Sequence, residues 1–172
     1  MMVVACLVFV GCSPADDETK EDSVGRPLTA DDGIVGTWAA SKSEVYVVTT
    51  SDFTSVGSYT GDNILVVEDS EDSGRLFVKY TKAIEYSDTD PAEDSANPWN
   101  YSSWSNNWYR YSTTAPDVGK WYAISYKDLT DNTVSIAGAA GEKTSFEKIE
   151  DAVKEFTYDN GYFGWYSECK KQ

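Results

Sequence analysis

Histidine is absent from all 172 residues. Its absence removes the commonest general base near neutral pH and the commonest metal ligand. His-based triads, His-containing zinc sites and HExxH metalloproteases are thereby excluded. Basic residues are scarce as well: 14 Lys and Arg stand against 29 Asp and Glu, for a net charge of −15. Nucleic-acid readers present basic patches and polybasic segments grip anionic lipid, so neither partner fits this balance. The chain has no Gly-rich phosphate loop, Gly-x-Ser-x-Gly elbow or dinucleotide fingerprint. Two carboxylates suffice for a glycosidase, but no pair stands out among the many here. The reading is a non-enzymatic binding protein with no cofactor and no metal. Cysteine is limited to Cys6, Cys12 and Cys169.

The chain does hold an uncharged opening run, residues 1–12, with no charge before Asp16. Its apolar stretch is too short for a bilayer, which takes roughly 20 residues, and has the length of a signal-peptide core. Residues 13–33 follow with seven acids, two bases and two prolines. So little apolar surface cannot offset the entropy of ordering, and the segment is expected to be a disordered tether. The domain layout expected is a signal at 1–11, Cys12 plus an acidic tether at 12–33, and one folded domain at 34–172. A chain of this length suits one domain and buries roughly two-thirds of the surface its unfolded form exposes.

From residue 34 onward short β-rich runs alternate with turn clusters. Strands are expected at 34–40, 45–50, 53–59, 63–68, 75–86, 101–112, 121–129, 133–138 and 162–169. In the fifth, Leu76, Val78, Tyr80, Ile84 and Tyr86 share one phase, with Lys82 the exception; Arg75, Lys79, Thr81 and Glu85 share the other. Such alternation marks one buried and one wet face. Short turn-rich linkers favour an up-and-down meander, which hides its edges by closing. Thr144 and Glu147 have the spacing of a capping box. Phe146, Ile149, Val153 and Phe156 then fall on one face of an amphipathic helix, expected to pack outside the sheet. The fold class is all-β: an antiparallel up-and-down barrel with one C-terminal helix and a final strand.

Three resemblances sharpen this. Phe9-Val10-Gly11-Cys12 resembles the bacterial lipobox, which implies that Cys12 is lipidated and that the protein is anchored in the bacterial cell envelope through this lipid. Ser13 follows Cys12 where Asp signals inner-membrane retention in some Gram-negative bacteria, so the outer membrane is the expected destination, on either face. Gly36-Thr37-Trp38 in the first strand, with the meander, late helix and last strand, resembles the lipocalin or calycin barrel. That implies a base closed by Trp38 and an open end holding a small, usually apolar ligand. The arginine many lipocalins place late in the chain across that Trp has no counterpart among Arg26, Arg75 and Arg110. Residues 115–130 and 150–169 resemble small spirochaetal, chiefly treponemal, lipoproteins with a lipocalin-like plan.

Candidate ligand residues follow from phase and composition. Residues 99–111 hold six aromatics: Trp99, Tyr101, Trp104, Trp108, Tyr109 and Tyr111. Trp104 and Trp108 read either as part of a lid or rim over the mouth or as core of a strand. Tyr80, Tyr86, Tyr122 and Tyr126 lie on the inward phase, where phenols orient a ligand in an apolar cavity. Two functions remain open: a binder of a small apolar or aromatic-stacking ligand, or a side-chain-filled barrel that contacts an envelope or host protein. The acidic run 88–94 lacks EF-hand spacing and reads as a solvated loop. Cys169 reads as a buried small apolar residue.

Overall fold

The computed structural model describes residues 24–91 and 96–172. The expected signal, Cys12, the first half of the tether and part of the acidic run 88–94 lie outside the described residues. Eight strands close an antiparallel barrel: β2 (Gly36–Ala39), β3 (Val45–Val48), β4 (Phe53–Ser55), β5 (Thr60–Ser70), β6 (Ser73–Ser87), β9 (Trp121–Lys127), β10 (Thr133–Gly138) and β11 (Ser167–Lys171). Chain neighbours pair in turn, and β11 returns to β2 through Lys170↔Ala39 and Lys171↔Trp38. Closure removes the free edges that an open meander would expose. Two short strands, β7 (Asn100–Ser102) and β8 (Asn107–Ser112), form a hairpin between β6 and β9.

All eight barrel strands send side chains into one interior cluster. Trp38, Val48, Phe53, Ile64, Leu76, Tyr122, Val134 and Cys169 are buried there, one from each strand. The expected inward phase of β6 holds for Leu76, Val78 and Tyr80. Small barrels of this strand number are just wide enough for side chains to fill them, and this one is filled.

One end of the barrel is sealed. The Trp38 indole is fully buried and donates from Nε1 to the Ile34 carbonyl at 2.8 Å. The Lys171 ammonium lies 5.1 Å from the Trp38 ring centroid. The cation over Trp38 therefore comes from a lysine, where the resemblance directs attention to an arginine. Gly36, paired with Val48, leaves room for this stem: a Cβ there would stand 3.1 Å from Lys171 Cε. Residues 24–33 depart from the tether expectation. β1 (Arg26–Pro27) pairs with Leu65 and Val66 of β5, and Leu28 joins the core. Arg26 bridges Asp32 at 2.6 Å and also pairs with Glu68. Composition over 13–33 averages an acidic stretch with one that carries Leu28, so it missed where packing begins.

The helix is shorter than its pattern. α1 spans Ile149–Glu155, and Lys148 at its N-cap makes no side-chain capping bond. The Thr144 and Ser145 hydroxyls instead donate to Asp117, at 2.9 and 2.8 Å. Phe146 is extended, its amide and carbonyl paired with Trp121. The stripe survives this correction: Phe146, Ile149, Val153 and Phe156 all join Phe77, Trp121 and Ala123 in a second cluster outside the sheet. Seven residues are too few for an independently stable helix. Burial of Ala152 and Phe156 supports it, as does Arg75, whose guanidinium donates to the Val153 and Phe156 carbonyls at 3.2 and 3.0 Å. A cation at that end also complements the helix dipole. No helix among the described residues is long and apolar enough to cross a membrane.

Candidate functional site

The opposite end of the barrel is finished by tyrosines. Tyr80 of β6 and Tyr122 of β9 stack with centroids 4.8 Å apart. Tyr59, between β4 and β5, meets both edge-on at 5.8 and 5.3 Å. Offset and edge-to-face pairs suit the ring quadrupole and hold each ring in place. The Tyr122 hydroxyl donates to the Ala139 carbonyl at 2.9 Å. It reaches that position because residue 138 is glycine: a Cβ there would lie 2.4 Å from the hydroxyl oxygen.

Past Lys82, the last β6 residue paired with β5 (Thr60↔Lys82), β6 leaves the barrel wall. Its ladder with β9 ends at Lys79↔Trp121, and from Ala83↔Ser112 it pairs with β8. Lys82, the exception to the inward phase, lies at this departure. The extension of β6 with β7 and β8 forms a three-stranded flap. Ile84, Tyr86 and Tyr111 of the flap face the barrel tyrosines across a cleft of about 310 Å³. Tyr109 shares the face of Tyr111, with an edge-to-face contact at 6.3 Å. On the other face, Arg110 lies 4.5 Å over the Trp99 ring and bridges Glu85 at 3.0 Å.

Asp117 closes one side of the cleft. Its loop follows β8, and its carboxylate accepts from Thr144, Ser145 and, at 3.2 Å, the Lys120 ammonium. Burial opposes its charge, yet the hydrogen bonds from Ser145, Thr144 and Lys120 hold its pKa below the ordinary carboxylate value. For the phenols burial prevails. Tyr59, Tyr80 and Tyr122 all titrate above the usual phenol range, desolvation being the largest cause for each. At neutral pH Tyr59, Tyr80 and Tyr122 are therefore neutral beside one fixed carboxylate.

Of the residues expected to bind a ligand, Tyr80, Tyr86 and Tyr122 come together here. Three do not. Tyr126 is buried at the sealed end, where its register partner is Gly74 and burial raises its pKa to about 12. Strand phase distinguishes inside from outside but carries no information on height along the barrel. Trp104 is 98% exposed at the hairpin tip, and Trp108 packs on Tyr101, 5.2 Å away on the outer flap face. The segment 101–112, expected as one strand, turns at residues 103–106 with Asn106 at φ 54°. Tyr59 and Asp117 also line the cleft, and nothing in the local sequence pattern singles them out. Tyr111 lines it too, and its only sequence signal is its place among the six aromatics of 99–111.

Cys169 is buried, and its thiol is pushed up to about 11, first by burial. A thiol so protonated is a poor nucleophile at neutral pH. Comparisons of the chain with protein-family models, with curated proteins and with solved structures find no match.

Proposed function

We propose that this chain is a non-covalent binder that takes one small apolar or aromatic-stacking ligand at the tyrosine-lined mouth of its barrel, held at a bacterial envelope by a lipid on Cys12. The observation that carries the ligand reading is the combination of a filled interior with a cleft of about 310 Å³ between flap and barrel. That volume lies at the low end for small-molecule sites, suited to a single ring or a compact head group. Aromatic walls supply apolar area and stacking, while Tyr86, 57% exposed, has room to close over a guest. The anchor rests on the uncharged run 1–12 and the acidic segment after it.

A thermal-shift and saturation-transfer NMR screen of the full chain tests the ligand reading. p-Cresol, small sugars, fatty acids and sterols make up the panel. A single-ring compound is expected to raise the melting temperature. Tyr86→Ala is expected to weaken the response, and sterols, too large for the cleft, to give none. No response to any compound of this panel, and none to a small organic cation, would sink this reading. The anchor is checked separately by palmitate labelling, which is expected to vanish in Cys12→Ser.

A second reading has its own support. Trp104 is 98% and Trp165 86% exposed, and large exposed aromatics mark contact surfaces. In that reading the barrel is a filled scaffold and the hairpin tip meets an envelope or host protein. Trp104→Ser is then expected to abolish partner binding with no change in ligand response.

A further inference from the structure

We infer that the ligand of the tyrosine cleft is an organic cation, a quaternary or tertiary ammonium head group, recognised by ring faces and by the Asp117 carboxylate. This rests on the small-ligand reading above and names its chemical class. Three features of the cleft lead there, each independent of the others.

The first is the wall. Tyr59, Tyr80, Tyr86, Tyr111 and Tyr122 all contribute to it. Tyr80 and Tyr122 lie stacked, with Tyr59 edge-on to both, giving a rigid cluster at the floor. Ring faces attract cations through their quadrupoles, by about 0.5–2 kcal/mol each as the site dries. Burial keeps the floor phenols neutral at ordinary pH. The Tyr122 hydroxyl hydrogen is already committed to Ala139, so toward the cleft that oxygen can only accept, as suits a cation.

The second is charge. Among the residues lining the cleft Asp117 alone carries charge, and none is basic. Thr144, Ser145 and Lys120 hold its carboxylate in place. Lys120 does not cancel it, because the same ammonium is shared with Glu147, 3.9 Å away. Two carboxylates around one ammonium leave the rim net negative. An anionic ligand such as a fatty acid finds no basic residue in the cleft wall and approaches a chain of net charge −15.

The third is size. About 310 Å³ accommodates a trimethylammonium head with a short tail and excludes a sterol. A neutral sugar would use the rings but not the carboxylate.

Choline, its uncharged carbon isostere 3,3-dimethylbutan-1-ol, and p-cresol are the probes, titrated into the full chain by calorimetry and saturation-transfer NMR. Choline is expected to bind at least tenfold tighter than the isostere. Asp117→Asn is expected to lower choline affinity at least fivefold and leave p-cresol unchanged. Tyr86→Leu, at an exposed position that the core does not need, is expected to weaken choline at least threefold if Asp117→Asn fails to fold. Equal affinity for choline and its isostere overturns the inference. Binding of p-cresol or the isostere without choline overturns it as well, while leaving the small-ligand reading standing. Failure of all three probes sinks both.

Discussion

At one end of the barrel, Trp38 and Tyr126 are buried with Leu28 and Ile34, and Lys171 covers the indole. At the other, Tyr59, Tyr80 and Tyr122 stand under the root of the flap with a cleft above them. The same eight strands, with the same alternation, run through both. What differs is what the chain does after leaving the wall. Apolar residues of the segment before β2 fold back over the Trp38 end. At the tyrosine end β6 continues outward to build a flap that stands off. At one end Leu28 and Ile34 cover Trp38 and Tyr126; at the other, phenols, apolar with one polar tip, line a cleft to which both water and a guest have access.

The largest expected effect that separates the ends is alkaline unfolding. Tyr80 and Tyr122 have folded pKa values raised above the ordinary phenol value by burial. A raised value gives stability that is full below about pH 10 and lost as pH climbs toward the folded values. Each of the two contributes a loss of about 1.4 kcal/mol per pH unit over that range. Circular dichroism from pH 8 to 12 checks this, and Tyr80→Phe is expected to move the midpoint upward. An unchanged midpoint would mean the mouth does not govern alkaline stability.

Trp38→Ala tests the sealed end. Removing a fully buried indole is expected to cost about 3–5 kcal/mol by urea denaturation. Gly138→Ala probes the mouth by overpacking it. The new methyl meets the Tyr122 hydroxyl, so a loss of about 1–3 kcal/mol is expected. Tyr122→Phe, which removes that oxygen, is expected to restore most of it.

Acid provides a smaller and opposite test. The hydrogen bond from Arg26 is the largest reason the Asp32 carboxyl titrates near 2. A depressed value contributes stability above the unfolded carboxyl value near 4, lost as pH falls toward 2. Arg26 is well exposed, so screening reduces the expected loss to about 1 kcal/mol. Asp32→Asn is expected to flatten urea stability between pH 4 and 2. The smallest stability effect is expected for Tyr86→Ala, within about 0.5 kcal/mol by the same measurement, because the side chain is mostly exposed. A large loss there would make Tyr86 a structural residue rather than one free to meet a ligand.

Much of the barrel is legible in particular residues. Leu76, Val78 and Tyr80 alternate with Arg75, Phe77 and Lys79, and this pattern alone assigns inside and outside. The turn formers at 129–132 place the β9–β10 hairpin. Phe77, however, is apolar on the outward phase, legible only once α1 is seen to cover it. The capping-box pattern at Thr144 misleads because Asp117, 27 residues earlier, takes that hydroxyl instead. Local pattern records what a residue can do with near neighbours, and a distant carboxylate of better geometry overrides it.

By itself the sequence determined the all-β class, the strand phases, the outer apolar stripe of the late helix and the acidic, histidine-free chemistry. These depend on neighbours a few residues apart, which backbone periodicity couples directly. Only the tertiary structure decided that Tyr59, Tyr111 and Asp117 share a cleft with Tyr80, that Tyr126 does not, and that Lys171 covers Trp38. Those relations join residues up to 133 positions apart. They arise from barrel closure and from where β6 changes partner, and no local periodicity encodes either.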